Sequence, residues 1–261
     1  MHRTLPIALA ALLLLGAAAA SADTLVEKFE QTYAFEGRVF SLTNVNGSVN
    51  IRVWDRPEVR IAAEKRVRSG SREAAMDAME RLRIEVSRTG DGVAVRTHYP
   101  RRNEGIFELF DFFSGSEIHA SVLYDVTVPR TAMVAVDVVN AGVEIIGARG
   151  GFDLETVNGK IDVIAGAGAF EASAVNGSIS AELEEVGEIE VSTVNGRIRL
   201  ELPQDIRADV AISTVNGRIS NELPLITHQA SRRKLRGAIN GGGEVRIDLS
   251  TVNGSVTLAS H

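Results

Sequence analysis

The 261-residue sequence has no cysteine, only 6 prolines and few aromatics, 5% of the chain. Without thiols there is no disulfide, no cysteine-based zinc site and no lipid-modified N-terminal cysteine. Scarce proline excludes collagen-like and Pro-rich linker chains, and 44% hydrophobic against 24% charged residues excludes a disordered one. With so few aromatics the core must come from Val, Ile, Leu and Ala, a composition that favours strands. Basic charge is not in excess either. The 28 Lys and Arg face 34 Asp and Glu, a formal net charge of −6, so no general affinity for nucleic acid or anionic lipid is expected.

The one long apolar run lies at the start. His2 and Arg3 precede an apolar stretch from Leu5 to Ala20, and Ala20-Ser21-Ala22 has the small-x-small pattern of a signal-peptidase site. The stretch is shorter than the roughly 20 residues a spanning helix needs. Residues 1–22 therefore read as a signal peptide cleaved after Ala22. That makes the chain exported, periplasmic or secreted, with no transmembrane span after cleavage.

What the sequence does have is a repeat. Val-Asn-Gly occurs at Val45-Asn46-Gly47, Val157-Asn158-Gly159, Val175-Asn176-Gly177, Val194-Asn195-Gly196, Val215-Asn216-Gly217 and Val252-Asn253-Gly254. Variants stand at Val139-Asn140-Ala141-Gly142 and Ile239-Asn240-Gly241. From Asn140 the asparagines advance by 18, 18, 19, 21, 24 and 13 residues, a quasi-period near twenty. Apolar residues alternate around each copy, as in Leu154, Thr156, Ile161 and Val163. That is the signature of a strand with one buried face. Each repeat thus reads as two short strands meeting at Asn-Gly, where glycine is expected to take positive φ and asparagine to tolerate the left-handed region.

Two architectures can use that junction. Asn-Gly could close a hairpin, pairing Thr156 with Ile161 and Leu154 with Val163 in an antiparallel meander. Alternatively it is the corner of a coil, and successive coils stack in parallel so that asparagine amides bond along a ladder. The identical tripeptide favours the second: an all-β parallel β-solenoid, with one short helix and a hairpin inserted after the first coil.

The recurring Thr-Val-Asn-Gly-x-Ile copies resemble a known bacterial family, as do Leu42 to Val49 followed by Trp54-Asp55, and Tyr124-Asp125-Val126-Thr127-Val128-Pro129. This is the putative-adhesin family of exported β-strand-repeat proteins, a domain of unknown function. The resemblance covers roughly residues 38 to 258 and implies the fold and an exported location. It brings no catalytic residues with it.

Residues 23–258 read as one β-strand-repeat domain, with a non-repetitive insert at 59–130 and the repeat array at 131–258. Within the insert, Ser71 can cap a helix over 71–83 with Ala75, Met79 and Leu82 on one face. Gly90-Asp91-Gly92 joins two strands as a hairpin. A Phe-rich loop at 100–117 holds Phe107, Phe110, Phe112 and Phe113, candidate partner-binding residues if exposed.

Signals for catalysis are weak. Glu155 and Asp162 would be near neighbours across an Asn-Gly bend, but other copies carry Ser192 and Arg199, or Ser213 and Ser220, at those positions. His98, His119, His228 and His261 share no metal-ligand spacing, and no G-x-S-x-G elbow occurs. Gly241-Gly242-Gly243-Glu244 occurs once and reads as a connection before the next coil. No enzyme activity and no cofactor are expected. The remaining surface feature is a basic edge, Lys160, Arg197 and Arg218, with Ser48, Ser178 and Ser255 in the other copies. The functional expectation is an adhesin-like binding or scaffold protein of the cell envelope, contacting an envelope polymer or protein. An accessory or receptor-like protein of an envelope-stress pathway is the alternative, ahead of a polysaccharide-active enzyme.

Overall fold

A computed structural model of the chain describes residues 24–100 and 118–261. The first part holds β1 (Thr24–Ala34), β2 (Val39–Trp54), β3 (Glu58–Arg68), α1 (Arg72–Arg81), β4 (Arg83–Thr89) and β5 (Gly92–His98). Then follow β6 (His119–Pro129), β7 (Met133–Ile146), β8 (Phe152–Asn158), β9 (Ile161–Asn176), β10 (Ile179–Asn195) and β11 (Ile198–Leu202). The last are β12 (Ala208–Asn216), β13 (Ile219–Asn221), β14 (Leu225–Ala230), β15 (Lys234–Ile239), β16 (Val245–Asn253) and β17 (Val256–Ser260). The protein is all-β, and its described residues form one large, mostly parallel sheet of 17 strands with antiparallel additions at its ends.

Register shows what the Asn-Gly junction does. Thr156 pairs with Ala174 and Leu154 with Ala172, while Ile161 pairs with Ile179 and Val163 with Ala181, all in parallel. No copy folds back on itself as a hairpin would require. The segments before each corner form one array, β5-β2-β7-β8-β9-β10-β16-β12. Those after it form a second, β6-β2-β7-β9-β10-β11-β17-β13. Their inward side chains make one core. Stacking identical offsets gives columns of like shape: Ile161, Ile179, Ile198 and Val256 lie over one another, all with 0% exposure. Each such side chain contributes roughly 1.5–3 kcal/mol of transfer free energy. Phe152 and Phe170 are neighbours in another column, edge to face at 5.7 Å between centroids.

The segment 59–130 does not separate the first coil from the array in space. β2 lies directly on β7, with Asn46 opposite Asn140. β5 and β6 form the rung on the other side of β2, pairing Val95 with Leu42 and Tyr124 with Val49. β4 then adds antiparallel to β5, and β3 and β1 add antiparallel beyond β6. α1 packs over this end, burying Ala75, Ala78 and Met79. It is shorter than the 71–83 span suggested: Ser71 is the cap itself, its Oγ accepting from Ala74 N at 3.1 Å, and Leu82 ends it. Lys65, buried in β3, holds that end by donating to Leu82 O at 3.1 Å and pairing with Glu27 at 2.7 Å.

Rung order departs from chain order at the other end. The coil of β16 and β17 lies between the coil of β10 and β11 and the coil of β12 and β13. The chain therefore leaves β11, skips one level, forms β12 and β13, turns through the β14–β15 hairpin and returns to fill the gap. This accounts for the irregular advances of 21, 24 and 13 residues. Asn240 is not a corner. It sits in the turn before β16 at φ 48, with Nδ2 donating to Gln204 O and Ile206 O.

Candidate functional site

The corner carries a continuous hydrogen-bonded row of asparagine side chains. Asn140 Nδ2 donates to Asn46 Oδ1 at 2.9 Å, Asn158 to Asn140 at 2.8 Å, Asn176 to Asn158 at 3.0 Å and Asn195 to Asn176 at 2.9 Å. Asn253 continues to Asn195 at 2.8 Å and Asn216 to Asn253 at 2.9 Å. All the bonds run in one direction. Asn46 closes the series by donating to Ala120 O at 3.2 Å. Aligned amides polarise one another, which strengthens such a row beyond its separate bonds.

Thr-Val-Asn-Gly divides the labour within each corner. The buried threonine hydroxyl donates to the corner carbonyl of the neighbouring coil: Thr193 to Gly177 O at 3.1 Å, Thr214 to Gly254 O at 3.1 Å, Thr251 to Gly196 O at 3.3 Å. The glycine backbone N–H donates the other way, Gly177 N to Asn195 O at 3.1 Å and Gly196 N to Asn253 O at 3.1 Å. The expected left-handed backbone is absent from the array's corners. Among the described residues only Ala165 and Asn240 have positive φ outside glycine, and of the Val-Asn-Gly glycines only Gly47 does. Glycine is required there for contact instead. A Cβ on Gly177, Gly196, Gly217 or Gly254 would lie 1.7–1.8 Å from the glycine carbonyl oxygen one rung away.

In the first coil Asn44 takes the threonine position. It is 1% exposed, donates to Val122 O at 3.1 Å and accepts from the Tyr99 hydroxyl at 2.7 Å. Burial pushes the Tyr99 phenol well above its ordinary range. Tyr124 nearby shares a 2.7 Å hydrogen bond with Thr97, and burial pushes its phenol up to about 12.

Outward residues form columns on each side of the corner. Val157, Val175, Val194, Val252 and Val215 are all exposed, an apolar row along one flank. Behind it stand Ser173, Ser192, Ser250 and Ser213, then the acidic column Asp153, Glu171, Glu190 and Asp248. Arg246 pairs with Asp248 at 2.5 Å, and that carboxylate, with Glu188 and Glu190, raises its pKa. On the other flank Lys160, Arg197 and Arg218 are exposed, in levels that alternate with Ser178 and Ser255. Lys160 pairs with Asp162 at 2.7 Å. The acidic column escaped the reading of the sequence, though Asp153, Glu171, Glu190 and Asp248 each stand five residues before the asparagine of their copy.

Other candidates fall differently. Glu155 and Asp162 do not meet: Glu155 pairs sideways with Asp137 and Ser173 in one array, Asp162 with Glu144 and Ser180 in the other, both facing outward. They belong to a bend between arrays, not to a hairpin. Phe107, Phe110, Phe112 and Phe113 lie outside the described residues. Of the histidines, His98 contacts Glu85 at 2.6 Å and His261 contacts Leu183 O at 3.2 Å, far apart in the stack. No group of three or more potential metal ligands occurs among the described residues. A shallow cleft of about 300 Å³ opens at the opposite corner beside Trp54, Asp55, Arg56 and Arg130, with the Arg56 guanidinium 5.2 Å above the indole. No helix among the described residues is long and apolar enough to cross a membrane.

The corner and its parallel rungs define a laddered β-repeat protein. Residues 139–259 match the family described as Toastrack DUF4097, which bears out the resemblance drawn from the Val-Asn-Gly copies. Among solved structures, a putative cell adhesion protein from Clostridium sporogenes aligns at 10% identity and a TM-score of 0.46, covering 90% of this chain and 100% of its own. A putative adhesin from Bacteroides fragilis aligns at 9% identity and 0.40, covering 89% and 97%. A putative lipid binding protein from Parabacteroides distasonis aligns at 9% and 0.30, covering 91% and 97%. No curated protein matches the chain.

Proposed function

We propose that this chain is exported and serves at the bacterial cell envelope as a non-catalytic, adhesin-like binding or scaffold element. The observation that carries the reading is the corner itself. Seven stacked asparagines, from Asn46 to Asn216, present a rigid, regular polar row whose geometry is fixed before any partner arrives. Such preorganisation suits recognition, because little side-chain entropy remains to be lost on binding. The N-terminal pattern ending at Ala22 supports export, with residues 23–258 as the working domain.

Two measurements on one preparation test the reading. The host's envelope fraction is expected to contain a chain whose mass corresponds to cleavage after Ala22. The purified chain is expected to pellet with isolated envelope fragments. Recovery of the uncleaved chain in the cytoplasm, or no pelleting with envelope material, overturns it.

A further inference from the structure

The flank beside the asparagine row carries a periodicity that chain order conceals. Backbone bonds from Ile161 to Ser178, Ile179 to Arg197, Ile198 to Ser255 and Val256 to Arg218 fix the order of levels as Lys160, Ser178, Arg197, Ser255, Arg218. Interleaving the β16–β17 coil is what separates Arg197 from Arg218. A cation thus stands on every second rung. At 4.7–4.9 Å between strands the spacing is about 9.6 Å, the advance of one disaccharide in an extended pyranose chain. Arg197 and Arg218 are exposed and have no ion pair with another side chain among the described residues.

Three further features favour a hydroxyl-rich polyanion over a compact anion. Each side-chain amide uses one N–H and one lone pair within the row, leaving a second N–H and lone pair per rung for a sugar hydroxyl. Asn176, Asn195, Asn253 and Asn216 are exposed, so these groups are accessible. The exposed valine row offers apolar surface for ring C–H groups. The column Asp153, Glu171, Glu190 and Asp248 repels an anionic chain from the neighbouring face and confines it to the corner.

From this we infer that the corner spanning Lys160 to Arg218 binds a linear acidic glycan carrying one carboxylate per disaccharide, laid along the stack. The inference rests on the binding-element reading and names its ligand class. Carboxylates align with Lys160, Arg197 and Arg218, and intervening sugars lie over Ser178 and Ser255.

The test titrates the purified chain with hyaluronate, which has one carboxylate per disaccharide, and with dextran and polyglutamate. Two variants accompany it, each first shown to keep its circular dichroism spectrum and melting temperature. K160S/R197S/R218S removes the cations; K160S/S178K keeps the net charge and shifts one cation by a rung. Hyaluronate is expected to bind and dextran not to, with polyglutamate weaker by about tenfold. The triple variant is expected to lose about tenfold or more, as three exposed charge pairs imply, and the shifted variant about threefold. Equal hyaluronate binding by the shifted variant, or equal binding of polyglutamate, overturns the inference. If the native chain pellets with envelope fragments but does not bind hyaluronate, this inference fails while the binding reading stands. If it does neither, the binding reading fails with it.

Discussion

Asn253 donates its side-chain amide to Asn195 Oδ1 at 2.8 Å across 58 residues of sequence. Asn216, which follows Asn195 much sooner in the chain, reaches the row only through Asn253. The two bonds of Asn253 make it a joint between coils that would otherwise lie two levels apart. Asn253→Ala is expected to cost about 1–2 kcal/mol, two net hydrogen bonds. Combined with Asn195→Ala, the loss should fall short of the sum, since one bond is counted in both. Urea unfolding of the single and double variants measures the coupling.

The corner glycines predict a sharper effect. Gly196→Ala places a methyl group 1.8 Å from Gly177 O, a backbone atom held by the Thr193 hydroxyl and unable to yield cheaply. A loss of about 3 kcal/mol is expected. Gly90→Ala is the control: nothing lies within 4 Å of the added methyl group. Comparable losses for both would show that conformational freedom, not close approach, selects glycine at the corner.

At the far end, Asn221 occupies a column that is Leu200 and Leu258 in neighbouring rungs. Its Oδ1 is buried without a hydrogen-bond partner, while Nδ2 donates to Leu223 O at 2.8 Å. Asn221→Leu is expected to stabilise the fold by about 1 kcal/mol, through added burial and removal of the orphaned acceptor, against one lost bond. Thermal unfolding reads the sign.

Alkali should destabilise the protein through its buried tyrosines. Tyr124 has its phenol raised from 10.0 to about 12 by burial, so above pH 10 the unfolded chain loses a proton that the native chain retains. The unfolded state then binds fewer protons, and stability falls as pH rises from about 10 to 12, by about 2–3 kcal/mol for this group. Tyr124→Phe should flatten that part of the profile. Unfolding free energies across the range decide the matter, and phenolate absorbance should appear together with unfolding.

Lys65 makes a prediction at the helix-covered end. Lys65→Met keeps the buried stem but leaves Leu82 O without its donor and Glu27 without its partner. A cost of about 2 kcal/mol is expected, with faster hydrogen exchange in α1 than elsewhere. Uniform exchange across the molecule would show that the helix is held by its apolar face alone.

The repeat, its two strands per copy and the parallel stacking were legible because period-two patterns and a recurring tripeptide are local. The basic edge was legible as a set of residues, but its alternation was not. That alternation depends on where the coil of Asn253 inserts, and no local pattern encodes it. The reason for the glycines was misread for a related cause: Asn-Gly is a familiar turn signal, whereas here the constraint is an oxygen on another coil. Asn240 shows the converse, an Asn-Gly that is a true left-handed turn and therefore not part of the row.

Interleaving also separates the order of synthesis from the order of assembly. When the coil ending at Asn221 emerges, the level beside β10 and β11 is still empty, and the same Val-Asn-Gly register that later seats Asn253 would accept Asn216. A chain growing in one direction thus meets a plausible wrong neighbour before the right one exists. The β14–β15 hairpin, paired antiparallel to β12, occupies the opposite side of that coil without closing the vacant level. Completion of this protein is an insertion between two surfaces already made, and its slowest step should be the seating of an inner rung.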